Sequence, residues 1–221
     1  MDAEDRGFTI IELLIAMAAG LIVLAALYDL FTVNNRHFAN EEQRTEMQQN
    51  ARIAMEMMTR EIRMAGYNQT TMADTKAVSR CTGITTPSNA PCAGITHAAS
   101  DSISFVADIN GNGDTTADPT NPNENITYDV YSSSGIQALG RTSNGSRQPV
   151  VENVEYLKFD YYDSNDPGNI TDNLANIRRI KITIVTRTAK EDPDYTDVNG
   201  HHHRHYSLSS FVAPRNLELG N

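Results

Sequence analysis

Polar and apolar positions divide the chain into three stretches, each with its own period. From Leu13 to Leu27 no residue is polar, and between Phe8 and Leu27 only Thr9 and Glu12 interrupt the run. About twenty apolar residues suffice for a helix to cross a bilayer core of about 30 Å. The next stretch is amphipathic. Met47, Ala51, Ala54, Met58, Ile62 and Ala65 recur at spacings of three and four, which places them on one helical stripe. No proline occurs before Pro87, so the helical pattern runs unbroken from Thr9 to about Ala65. A helix of 57 residues would measure roughly 85 Å at 1.5 Å per residue. Glu56 and Arg60 are expected to pair at i,i+4 on its outer side. Gly66 supplies a stop, because glycine readily takes the left-handed conformation that ends a helix.

After Gly66 the period changes to two. Residues 68–100 are rich in Thr, Ala, Ser and Asn and show little pattern. Alternation then predicts strands around Ile103 and Phe105, around Ile126, Tyr128 and Val130, and around Leu157, Phe159 and Tyr161. Two more are expected around Ile180, Ile182 and Ile184, and around Leu208, Ser210 and Val212. Asn144-Gly145 reads as a tight turn. The polar loops between strands are 108–123, 163–175 and 189–205. The pattern predicts an α+β fold, with a long N-terminal helix, apolar in its first half and amphipathic in its second, packed on an antiparallel β-sheet head. The expected divisions are a leader at 1–7, an apolar half-helix at 8–35, an amphipathic half at 36–66 and a head at 67–221.

Charge narrows the function. The chain carries a net −10, and residues 66–221 hold 18 acidic against 12 basic side chains, a net −6. Nucleic-acid binding depends on clustered Lys and Arg, so no nucleic-acid partner is expected. The local basic stretch Arg178, Arg179, Lys181, Arg187 and Lys190 is expected to be the solvent face of a strand. Catalysis has no visible basis either. There is no G-x-S-x-G, no P-loop, no H-E-x-x-H and no cysteine with an obvious histidine partner, so a structural or binding role is expected rather than an enzyme.

The junction ahead of the apolar run carries the sharpest signal. A secretory signal peptide needs a basic n-region before its core and small residues behind it. Here Asp2, Glu4 and Asp5 face Arg6 alone, and Tyr28-Asp29-Leu30-Phe31 follows the core. An ordinary single-span anchor would explain the apolar run, but not a glutamate inside it, which costs several kcal/mol at mid-membrane depth. Gly7-Phe8-Thr9-Ile10-Ile11-Glu12 resembles the processing site of type IV prepilins. The run from Ala51 to Tyr67 resembles the helix end of PilW-type minor pilins, which carry R-x-A-M-x-x-M-x-R-E-I-R-x-A-G-Y there, and of the related GspJ-type pseudopilins.

The resemblance implies a structural subunit of a type IV pilus that starts or tips the fibre. It implies cleavage by prepilin peptidase between Gly7 and Phe8, with N-methylation of Phe8. It also implies a single inner-membrane span with a periplasmic head, then entry into the filament beside other major and minor pilins through an assembly platform. Two alternatives stand beside it: a minor pseudopilin of type II secretion, and a ligand-binding or adhesive module carried on a pilin stem. Glu12 has two readings that can coexist. Thr9-Ile-Ile-Glu12 has the form of a capping box, and in a cleaved subunit the Phe8 amine could offset the cost of the carboxylate in lipid.

Three further features have candidate chemistry. Cys81 and Cys92 are the two cysteines of the chain. In an oxidising compartment a disulfide is favoured over free thiols or a metal pair. Asp108, Asn110, Asn112 and Asp114, with Gly113 in sixth place, resemble the opening of an EF-hand loop and make a candidate calcium site. Pro119 stands where the bidentate Glu belongs, so Asp118 or Glu124 would have to substitute. The bland reading is a solvated turn. His201-His202-His203-Arg204-His205 could ligate a transition metal, but adjacent residues on a strand face opposite ways, so a polar, pH-responsive loop is expected.

Overall fold

The computed structural model describes residues 9–67, 79–80, 92–110, 123–143, 145–164, 171 and 173–217, with the backbone alone at 79, 80, 92 and 93. Helix α1 runs uninterrupted over Ile10–Ile62. The chain forms two compact units, Met1–Arg44 and Thr45–Asn221, with α1 contributing to both.

In the first unit the helix surface is apolar and uncovered. Leu13, Leu14, Leu21, Leu24 and Leu27 are all more than half exposed. This helix is long and apolar enough to cross a membrane. Farther along, an exposed Glu41–Arg44 ion pair of 2.9 Å marks the change to a polar surface.

In the second unit the rest of α1 lies against two sheets. The stripe Met47, Ala51, Ala54, Met58, Ile62 and Ala65 is buried throughout, and Met55 joins it. Strands β1 (Ser79–Arg80), β2 (Cys92–Ala98), β3 (Ser102–Val106), β4 (Asn125–Ser133), β5 (Ile136–Ser143) and β6 (Ser146–Glu152) form one sheet in chain order. The short β1 pairs parallel with β2 and the remaining pairs are antiparallel. Strands β7 (Val154–Tyr162), β8 (Arg179–Arg187) and β9 (His205–Val212) form a second, fully antiparallel sheet.

The predicted alternation sets the inner faces. Leu157 lies opposite Ile184, which lies opposite Leu208; Tyr161, Ile180 and Val212 form a parallel row. Phe105 and Tyr128 pack ring to ring at 6.4 Å in the first sheet. The outer face of β8 carries Arg179, Lys181 and Arg187, as its basic run suggests, and the Arg179 guanidinium lies 4.9 Å from the centre of the Phe211 ring. The two sheets are also stitched together, with the Phe159 N–H donating to Ser100 O at 2.8 Å and the Tyr161 hydroxyl to Ala99 O at 2.8 Å.

Four strands, the two-residue β1 among them, did not show as alternation in the sequence. In β5 the residues Ala138 to Arg141 are buried in succession, because a bulge at Leu139/Gly140 shifts the register. Strand β6 contains Pro149, which is tolerated because β6 is an edge strand. Strand β2 is irregular between Ile95 and His97. Gly145 closes the β5–β6 hairpin at φ +73°, in the turn that the Asn-Gly pair predicts.

The helix ends at Ile62, a turn earlier than the sequence suggests, and tightens through the bonds Met64 N–H to Glu61 O and Ala65 N–H to Ile62 O. Gly66 then sits at φ +78° and donates its N–H to Val106 O at 3.0 Å. A Cβ here would lie 2.7 Å from Leu217 Cδ2. Gly66→Ala should therefore destabilise the head by about 1–2 kcal/mol, measured by urea unfolding of the detergent-solubilised chain. Gly135→Ala, at a similar φ of +84° in open space, should cost less.

Candidate functional site

The first turn of α1 is closed by its own side chains. Glu12 N–H donates to Thr9 Oγ1 at 3.3 Å, and Glu12 Oε2 accepts from Thr9 N–H and from the Thr9 hydroxyl, both at 2.9 Å. That is the reciprocal geometry of a capping box. The arrangement holds the carboxylate at the very start of the helix. Gly7 and Phe8 themselves lie outside the described residues.

A second carboxylate of α1, which the sequence reading passed over, organises the head. Glu61 receives the Tyr128 hydroxyl at 2.5 Å and Arg141 Nε at 3.0 and 3.2 Å. Arg141 Nη2 donates on to Asn123 Oδ1 at 2.9 Å. Burial, reinforced by the hydrogen bond and charge of Glu61, pushes the Tyr128 hydroxyl above its ordinary range, so it stays a donor. Burial pulls the Arg141 guanidinium down, but the bond and charge of Glu61 outweigh this and hold it above its usual value. A signal for this cluster was present. Glu61 falls three residues after Met58 on the apolar stripe, where a carboxylate requires a partner.

The described part of the 108–124 loop is tied down by protein groups. Asp108 is fully buried, and its N–H donates to Tyr67 O at 2.8 Å. Glu124 Oε1 accepts the N–H groups of Ile109 and Asn110 at 2.9 and 2.8 Å. Thus Glu124, considered above as a substitute ligand, caps the start of the loop. Asn112, Asp114, Cys81 and the side chain of Cys92 lie outside the described residues. Among the described residues no three His, Cys, Asp or Glu side chains converge as metal ligands.

His201, His202 and His203 lie in the connection between β8 and β9, and His205 opens β9. His202 Nδ1 bonds Tyr195 O at 2.7 Å, His203 Nδ1 bonds Thr188 O at 2.9 Å, and His205 Nε2 lies 3.7 Å from Glu155 Oε2. Asp197 Oδ1 accepts the N–H groups of Asn199 and His201, each at 2.8 Å. Arg204 pairs with the buried Asp192 at 2.8 Å and stacks over Tyr195 at 4.4 Å.

Two family models match this chain. One, described as the prokaryotic N-terminal methylation motif, covers residues 3–28. The other, prepilin peptidase-dependent protein B, covers residues 40–207, which takes in the amphipathic half of α1 and nearly all of the head. The chain belongs to the prepilin peptidase-dependent protein B family. It is also 38% identical over 61 residues to the pilin-like protein PilA3 of Thermus thermophilus, a match that covers 28% of this chain and 26% of that protein. The chain thus aligns with about a quarter of the length of that relative. No solved structure matches it.

Membership of this family, together with the methylation motif, makes the chain a type IV pilin-like protein. Its two organising carboxylates lie within the two matched segments: Glu12 in the motif and Glu61 in the family region. Arg141→Met, which strands Glu61 against the sheet, should destabilise the head by about 3 kcal/mol. Glu61→Gln/Arg141→Met together should recover part of that loss, as a two-variant unfolding series would measure.

Asp197 provides a pH prediction. The His201 and Asn199 N–H groups, aided by the His201 imidazole, hold its carboxyl below the ordinary carboxylate range. Its contribution to loop order is therefore complete above the unfolded value, about 3.9, and is lost as pH falls through the lower folded value. The Asn199 amide resonance should report the loss of its acceptor by a shift as pH falls below about 4. Asp197→Ala should abolish that acid transition.

Proposed function

We propose that the chain is a minor pilin, a structural subunit that primes or tips a type IV pilus. The observation that carries this reading is the methylation-motif match at residues 3–28. It lies on a helix where Glu12 is the one charged group before Asp29. Prepilin peptidase cuts between Gly7 and Phe8 and methylates the new amine. The subunit waits as a single-span inner-membrane protein with its head in the periplasm, until the assembly platform passes it to neighbouring major and minor pilins. It works as a scaffold and not as a catalyst.

The chemistry of Glu12 supports the role. Its own helix already satisfies one carboxylate oxygen through the Thr9 cap, and this fixes the charge at the helix start. A carboxylate held in an apolar packing layer needs a cation, and cleavage creates one in the amine of Phe8, its own or a neighbour's. The cap orients the carboxylate while the amine neutralises it.

Mass spectrometry of the native N-terminal peptide should find N-methylated Phe8 as the first residue, and an intact Met1 would contradict the processing. Glu12→Gln keeps an oxygen for the cap but loses the charge. It should insert in the membrane and enter fibres poorly; incorporation at the wild-type level would leave the cap as the sole role of Glu12.

A further inference from the structure

The stretch of α1 inside the head has a flank that faces neither sheet. Arg52, Arg60 and Arg63 project from it, and Arg215 approaches from the segment after β9, so that together they rim a groove of about 830 Å³. Met55, Met64 and Leu208 supply apolar lining. None of the four guanidiniums has an ion-pair partner among the described residues. The expected Glu56–Arg60 pair does not form, although both residues line the groove. Thr59, also in the lining, has its hydroxyl oxygen buried with no hydrogen-bond partner. In a chain of net −10, four arginines against the one carboxylate of Glu56 make the described lining of this groove a local field of opposite sign.

Beside this groove lies an open sheet edge. Strand β9 pairs with β8 alone, through eight consecutive residue pairs from Ile180↔Val212 to Arg187↔His205 without a register shift. The opposite edge of that sheet is covered, since Phe159 N–H donates to Ser100 O and Tyr161 O accepts from Thr171 N–H. No comparable bond covers β9 among the described residues. Proteins ordinarily protect such an edge with lysine, proline or a bulge, and His205–Val212 contains none of these. Leu208 belongs to both features, since it lies in β9 and lines the groove.

We propose that the β9 edge and the arginine-rimmed groove form one docking site for an extended acidic segment of a different protein, which adds a strand to the β7–β8–β9 sheet. Backbone bonds to β9 would hold such a segment, alternate apolar side chains would cover Met55, Met64 and Leu208, and its carboxylates would meet the arginines. A second copy of this chain fits the site less well. Among the described residues its terminal strands are β9, with no acidic residue, the two-residue β1, and β6, whose single carboxylate, Glu152, stands at its end after Arg147 and Pro149.

The test uses the full chain in detergent micelles and a fluorescent eight-residue peptide that alternates glutamate with valine or threonine, followed by fluorescence anisotropy. The acidic peptide should bind, and a lysine-for-glutamate version should not. Arg52→Gln/Arg60→Gln/Arg63→Gln, all at exposed positions, should weaken binding about tenfold while leaving the unfolding midpoint unchanged. Methylation of alternate peptide amides, which removes ladder donors, should abolish it. Equal binding of both peptides, no binding at millimolar peptide, or indifference to the arginine variant would each overturn the proposal. So would sedimentation showing that the site instead joins two copies of this chain.

Discussion

One uninterrupted helix has to satisfy two incompatible surroundings, and the rest of the structure depends on how it does so. Burial is favourable only where an apolar surface meets another apolar surface. Around Leu13–Leu27 that surface encircles the helix and, among the described residues, stays exposed. From Met47 onward it narrows to a stripe of alanines and methionines, which the chain covers itself. Small residues such as Ala51 and Ala54 let the helix approach the sheets closely, while Met55 and Met58 fill the irregular space between them. The change happens without a proline or a glycine break, so a single element serves as an anchor at one end and as core at the other.

The two carboxylates mark the ends of that division of labour. Glu12 is satisfied locally, by a residue three positions away. Glu61 is satisfied over long range, by Tyr128 and Arg141 from neighbouring strands. A buried ion pair contributes little net stability relative to apolar packing, but its absence on one side is costly. In this head it therefore selects one placement of the helix on the sheet, because any other would strand either a carboxylate or a guanidinium. Thr186 supports the same placement from the second sheet, with its hydroxyl donating to Met47 O at 2.9 Å in the interior.

Much of this was legible in the sequence, for physical reasons. Helical and strand periods are local properties, so the stripe from Met47 to Ala65 and the alternation in β3, β4, β7, β8 and β9 stand out in the residue order. The bulge that buries Gly140 next to Leu139, beneath Tyr131, breaks the period and hides β5. Pro149 disguises β6, since only its edge position makes the proline acceptable. The Glu61 cluster joins residues 67 and 80 positions apart, a separation at which spacing carries no information. The groove at Arg52, Arg60 and Arg63 was hidden for a related reason: an expected i,i+4 pair explained away one of its charges.

Site-directed spin labelling measures the two surroundings of this helix directly. Single cysteines placed along residues 13–62, in a Cys81→Ser/Cys92→Ser background, would carry nitroxides in membrane-reconstituted protein. Collision rates with oxygen and with a water-soluble nickel chelate then report the surroundings of each position. Collisions should be oxygen-rich and nickel-poor on every face from Leu13 to Leu27. From Met47 onward they should follow a helical period, with minima for both reagents at Ala51, Ala54, Met58 and Ile62. A helical period in the first stretch, or none in the second, would rule out a helix divided between these two surroundings.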